Sequence, residues 1–220
     1  MMDATRRRRR CALFLFVALA ACATLGGVLP AAAQPVAAPV PEQKGAALLA
    51  ALRGGGYVLY FRHAATDFGQ NDERMTGYED CATQRNLTDK GRAEARAIGA
   101  DIRALGIPIG EVLASPFCRT METAQLIFGR ATASPAARGG PAQPESAERY
   151  AALRELLTSP VARGTNRVIV SHGNPFRAIA SGTYLAEGEA AVIEPRGKDG
   201  FRVVARVPLD GWRALATPPP

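Results

Sequence analysis

Lysine and histidine are both scarce in this chain. Of its 27 basic residues only Lys44, Lys90 and Lys198 are lysines. With alanine also abundant, that bias has the look of a genome-wide preference, so arginine counts only where its context is specific. Histidine occurs twice, as His63 and His172, and cysteine four times. No group of Cys, His, Asp and Glu has metal-ligand spacing, so neither a metal nor another cofactor is expected. No internal repeat is present. The net charge is +7, but five arginines and Asp3 place +4 of it in residues 1–33, leaving about +3 elsewhere. That is too mild for a nucleic-acid-binding protein.

Residues 6–10 are an unbroken arginine block, followed by an apolar run over 11–29 interrupted only by small residues. This is the pattern of an export signal. Two cleavage sites compete. Leu19-Ala20-Ala21-Cys22 resembles a lipobox that would leave a lipid anchor on Cys22, whereas Ala31-Ala32-Ala33-Gln34 would release a soluble protein. Glycines and alanines dilute the run too much for an uncleaved anchor to be favoured. Each reading puts the folded part outside the cytoplasm, in the periplasm, touching membrane only through the signal or the lipid. Residues 34–44 read as a Pro/Ala-rich tether, residues 45–216 as one folded domain, and 217–220 as a frayed tail.

Within the domain, strand and helix patterns alternate. Helices are expected over 46–53, 88–105 (capped by Thr88), 115–129 (Ser115 as cap, Pro116 at its first position), 145–157 and 175–185. Strands are expected over 57–61, 112–114, 167–171, 190–193 and 201–207. Residues 66–86 and 130–143 read as loops. The first strand is apolar throughout, as happens when both faces of a sheet are covered. The alternation predicts a three-layer α/β/α domain with a mostly parallel central sheet.

Each histidine sits where such a strand runs out. His63 follows Arg62, and His172 precedes Gly173-Asn174. In open α/β sheets, ligand chemistry collects at the carboxyl ends of strands, so the two imply one shared site with cationic groups. Four segments carry that chemistry: Arg62-His63-Ala64-Ala65-Thr66; Ser115-Pro116-Phe117-Cys118-Arg119-Thr120, running on to Glu122-Thr123-Ala124; Val170-Ser171-His172-Gly173-Asn174; and Asn86-Leu87-Thr88-Asp89-Lys90-Gly91. Their types and chain order resemble the histidine phosphatase superfamily, over residues 57–207.

The resemblance implies that His63 is a nucleophile accepting a phosphoryl group, and that Arg62, Arg119 and His172 bind the phosphate. It implies a phosphomonoesterase acting on a phosphorylated small molecule or an envelope glycolipid. Physical chemistry is consistent with these roles. Histidine attacks phosphorus only as neutral imidazole, and nearby guanidinium groups disfavour imidazolium. The same cations stabilise the transferring group, and arginine's planar fork suits phosphate oxygens. A helix opening near Asn174 would offer further anion-binding N–H groups.

Two departures from the family pattern stand out. Ala64 occupies a place where glycine is common, and no acid that could protonate the leaving oxygen is obvious. Glu189 is the first nominee, followed by Glu145, Glu148, Glu155 and Asp67. A leaving group protonated by water is the alternative, and a degenerate envelope protein that binds phosphorylated ligands without cleaving them is the alternative function. The interval between Arg119 and His172 is too short for the large cap of bigger members. Cys81 and Cys118, outside the signal, are expected to pair in an oxidising compartment.

Overall fold

Leu59 and Phe61 pack on one side of the central sheet and Val58 and Tyr60 on the other. These residues belong to the first strand of the computed structural model, which describes residues 43–138, 147–180 and 184–216. The export signal, most of the tether, the C-terminal tail and Glu145 lie outside the described residues. Helices α1 (Gly45–Gly54), α2 (Asp89–Ala104), α3 (Cys118–Phe128) and the short α7 (Gly211–Ala214) contribute to the first core. The second is built from α4 (Pro135–Arg138), α5 (Ala151–Thr158) and α6 (Gly173–Ala180). Both faces are therefore covered, which is why the strand carries no polar alternation. No helix among the described residues is long and apolar enough to cross a membrane.

The strands are β1 (Val58–Arg62), β2 (Ile109–Ala114), β3 (Thr132–Ala133), β4 (Asn166–Ser171), β5 (Ala190–Pro195) and β6 (Phe201–Val207). Their order is β3-β2-β4-β1-β5-β6. The first four in that order run parallel, and the closing pair is antiparallel. The mostly parallel three-layer expectation holds.

Register decides where the chemistry goes. Arg62 pairs with Ser171 and Ala114 with Val170. The next residues, His63, His172 and Ser115, thus emerge together at the carboxyl edge of the sheet.

Four local expectations change, the first being that the helix expected over 175–185 runs Gly173–Ala180, with Tyr184 and Leu185 outside it. Helix α3 begins at Cys118 with Phe117 as its extended cap, not at Ser115-Pro116, because the Ser115 hydroxyl is engaged by His172 instead. The loop expected over 130–143 contains β3 and α4. The helix expected from 145 is a 3-10 turn, Ala147–Tyr150, leading into α5.

Candidate active site

His63 is held by its backbone before its side chain does anything. Its N–H donates to Ser171 O (3.0 Å), and its carbonyl accepts from Gly188 N (3.0 Å). Directly beyond it, Ala65 O accepts from Thr88 N (3.0 Å) at the start of α2. Gly91 makes that docking possible, since a Cβ there would lie 2.2 Å from Ala65 O. Thr88 caps the helix by accepting from Gly91 N, as its hydroxyl predicts.

The imidazole is 2 % exposed. Its Nδ1 lies 2.9 Å from Ala64 O. A carbonyl oxygen can only accept, so Nδ1 carries the proton and Nε2 keeps its lone pair. Burial is the main reason its pKa falls to about 3. The Ala64 hydrogen bond opposes that shift, and Arg119, Arg62 and Arg85 add to it. Desolvation thus outweighs the arginines in keeping the ring neutral. Ala64 does not crowd the site: its buried methyl joins the core and its N–H donates to Thr123 Oγ1.

Arg62, Arg119, His63 and His172 line one pocket of about 360 Å³. The Arg62 guanidinium donates to Leu185 O (2.9 Å) and Glu187 Oε1 (3.4 Å), and Tyr184 stacks against it at 5.0 Å. Arg119, almost fully buried, bonds Asp72 Oδ1 at 2.9 Å and lies 4.4 Å from the centre of the Phe117 ring. Burial alone would raise the Asp72 carboxyl's pKa, but hydrogen bonds from Arg119 and the Arg85 N–H hold it below the ordinary range. Asp72 is therefore an anionic clamp on Arg119.

The sequence reading missed Arg85. It lines the same pocket, lies 4.9 Å from the Phe68 ring centre, and acts on both histidines. Its signal was its place just before Asn86-Leu87-Thr88.

The Cys81–Cys118 disulfide is present. It joins the loop carrying Asp72 and Arg85 to the first residue of α3, beside Arg119. Gln84 reinforces the junction by accepting from Cys118 N at 3.0 Å.

His172 faces His63 with ring centres 5.6 Å apart, and its Nε2 is 2.8 Å from Ser115 Oγ. Enclosure, with Arg119 next in importance, pushes its pKa well below 6.5. Asn174 also lines the pocket, though its Oδ1 accepts from Tyr184 OH at 3.0 Å. The Tyr184 ring packs so closely on Gly173 that a Cβ there would lie 2.2 Å from it.

The acid nominees fare differently. Glu189 is not brought to the pocket: Arg206 takes both its oxygens (2.6 and 2.7 Å), and Ala186 N donates to it as well. A carboxylate so held is a structural anion, which corrects its nomination as the acid. Glu155 is exposed on α5, and Asp67, also exposed, accepts from Gly69 N. The Glu148 side chain lies outside the described residues.

Glu187, two residues before Glu189, was not nominated but does reach the site. It accepts from Thr66 Oγ1 (2.7 Å) and Thr66 N (3.3 Å), and lies 3.8 Å from His63 Nδ1. That is the protonated nitrogen, so Glu187 braces the ring from behind rather than facing Nε2.

Residues 58–139 match the family model of the histidine phosphatase superfamily (branch 1). None of the curated proteins compared with the chain matches it. Among solved structures, it is similar to a mycobacterial glucosyl-3-phosphoglycerate phosphatase in complex with inorganic phosphate. The TM-score is 0.51 at 14% identity, covering 70% of this chain and 99% of that one. A SixA protein of Agrobacterium tumefaciens gives 0.47 at 18% identity, covering 69% and 97%. A Thermus thermophilus protein gives 0.48 at 19%, covering 69% and 99%. The matched segment holds Arg62 at the end of β1, His63 directly after it and Arg119 on α3, so these three site residues fall within the part of the chain that is similar to the histidine phosphatase superfamily.

Proposed function

We propose that the protein is a phosphomonoesterase that works through a phosphohistidine on His63 Nε2. One observation carries this reading: a buried imidazole whose Nδ1 proton is fixed on Ala64 O, in a pocket shared with Arg62, Arg119 and His172. Nε2 attacks phosphorus, the bond from phosphorus to the ester oxygen breaks, and the alcohol leaves. Water then attacks the phosphoryl group, the N–P bond breaks, and inorganic phosphate departs. The guanidinium groups offset charge on the equatorial oxygens in both steps.

Protonation of the leaving oxygen sets the limits of the substrate. Among the described residues, Asp72 is the one carboxylate lining the pocket, and Arg119 holds it ionised. Water is then the proton source, which favours esters with good leaving groups. That no other carboxylate among the described residues lines the pocket also supports the second reading, a protein that binds phosphorylated ligands without turnover.

Export to the periplasm, as a soluble or lipid-anchored protein, is part of the proposal. It is supported by the basic-then-apolar N-terminal run and by a disulfide of the kind oxidising compartments allow. A phosphorylated small molecule or envelope glycolipid is the proposed substrate.

The test is hydrolysis of an aryl phosphate by purified protein, with acid-labile phosphate sought on His63 after quenching. Turnover that is lost in His63→Ala supports the enzyme. Saturable phosphate binding with no turnover and no phosphoprotein selects the second reading.

A further inference from the structure

Arg138 has no role in the chemistry above, yet it lines the same pocket. It ends α4, whose backbone is pinned to the sheet: Ala137 O accepts from the Ser171 hydroxyl, and Ser134 N, just before the helix, donates to Ala114 O of β2. The Arg138 guanidinium lies 5.7 Å from the Tyr78 ring centre and 5.5 Å from that of Phe117. Those two rings meet edge-on at 5.2 Å, forming an aromatic corner that holds the cation. Among the described residues, Arg138 makes no ion pair and no hydrogen bond, so its N–H groups have no acceptor. Arg62 and Arg119, by contrast, are each matched by a carboxylate.

Arg138 enters the pocket on the side where the Phe117 ring meets that of His172. The cations acting most strongly on His63 are Arg119, Arg62 and Arg85, whereas Arg138 appears among those acting on His172. The Phe117 ring centre lies 5.1 Å from that of the His172 ring. Arg119 and Arg138 approach this one ring at 4.4 and 5.5 Å, so their guanidinium carbons are less than about 10 Å apart. A separation within that bound accommodates a small molecule with two charged ends.

We propose that Arg138 forms a second anion subsite, so that the ligand is a phosphomonoester bearing another anionic group, either a phosphate or a carboxylate. This rests on the phosphate-binding reading of the pocket. The reacting phosphoryl sits on Arg62, Arg119 and Arg85 beside His63, and the second group takes the fork of Arg138. An arginine already stacked on aromatic rings loses little freedom on binding, which favours a charge-assisted, bidentate contact.

Calorimetric binding to the His63→Ala protein, which cannot turn ligand over, tests the subsite. The probes are propyl phosphate, 1,3-propanediol bisphosphate and the phosphate ester of 3-hydroxypropanoate. The expected result is that one or both two-anion probes bind about tenfold or more tighter than propyl phosphate. The comparison between those two distinguishes phosphate from carboxylate as the second group. Adding Arg138→Met should reduce the preference to about onefold. Arg138→Lys should keep part of it, which shows that charge is responsible, and unliganded melting temperatures check that both variants fold. Equal binding of all three probes overturns the proposal, as does a preference that survives Arg138→Met. If Arg138→Met weakens propyl phosphate as much as the two-anion probes, Arg138 belongs to the phosphoryl pocket and the second subsite fails. Loss of phosphatase activity on aryl phosphate in the parent protein, with the binding preference intact, would overturn the catalytic reading alone.

Discussion

Nδ1 of His63 lies 2.9 Å from the carbonyl oxygen of Ala64, its neighbour in the chain. That bond fixes which nitrogen keeps its lone pair, and so which one would attack in the proposed reaction. The phosphorylated intermediate should therefore carry its phosphate on Nε2, a position that phosphorus NMR of the trapped, denatured protein distinguishes from Nδ1. His63→Ala should lose about a thousandfold or more in turnover and yield no phosphoprotein. Phosphate on Nδ1 would contradict the geometry directly.

Asp72 should matter without touching substrate. Its Oδ1 accepts from both Arg119 and the Arg85 backbone N–H. Asp72→Asn preserves an acceptor there but removes the charge opposing the guanidinium. We expect kcat/KM on aryl phosphate to fall about 10- to 100-fold, with weaker inhibition by inorganic phosphate. An unaltered inhibition constant would show that Arg119 is oriented without Asp72.

The disulfide should contribute to both stability and activity. It closes a separation of 37 residues, for which chain entropy estimates about 3–4 kcal/mol. Urea unfolding with and without reductant measures that difference. The reduced protein, or Cys81→Ser with Cys118→Ser, should also lose activity before it loses its helical signal, because the bridge ties the Arg85 loop to the turn bearing Arg119. Full activity in a reduced, folded protein would reject the coupling.

How legible was this site in the sequence? His63 and His172 were legible because each ends an apolar run, and strand ends at one sheet edge converge by topology. Thr88 was legible as a cap because its signal is local. Ser115 misled: serine followed by proline is a sound helix-start signal, but a tertiary contact with His172 Nε2 took the hydroxyl. The short β3 and α4 within 130–143 were hidden because so few residues show no periodicity. Glu187 and Glu189 are separated by one glycine, and nothing local indicates that Arg206 claims the second while Thr66 and Arg62 claim the first. Arg85 and Asp72 lie in an aperiodic loop positioned by the Cys81–Cys118 bridge, so their partners follow from the fold rather than from spacing.

Two neutral, enclosed histidines give a pH dependence of known sign. His63 has its pKa near 3 in the fold against 6.5 ordinarily, and that of His172 is also lowered. Between those values the unfolded chain binds a proton that the folded chain does not, so falling pH favours unfolding. For His63 the contribution is fully present above pH 6.5 and is lost progressively toward pH 3, by up to about 1.4 kcal/mol per pH unit, and His172 contributes with the same sign. Between pH 6.5 and 5 most carboxylates have yet to titrate, so urea unfolding in that window isolates the effect. Stability should fall there in wild type and fall less steeply in His63→Gln, which has one fewer imidazole to protonate on unfolding. Over the same window, kcat/KM should show no loss attributable to protonation of the nucleophile. A limb near pH 6.5 that tracks His63 ionisation would mean the imidazole is solvated in the working enzyme, and the desolvated nucleophile would have to be abandoned.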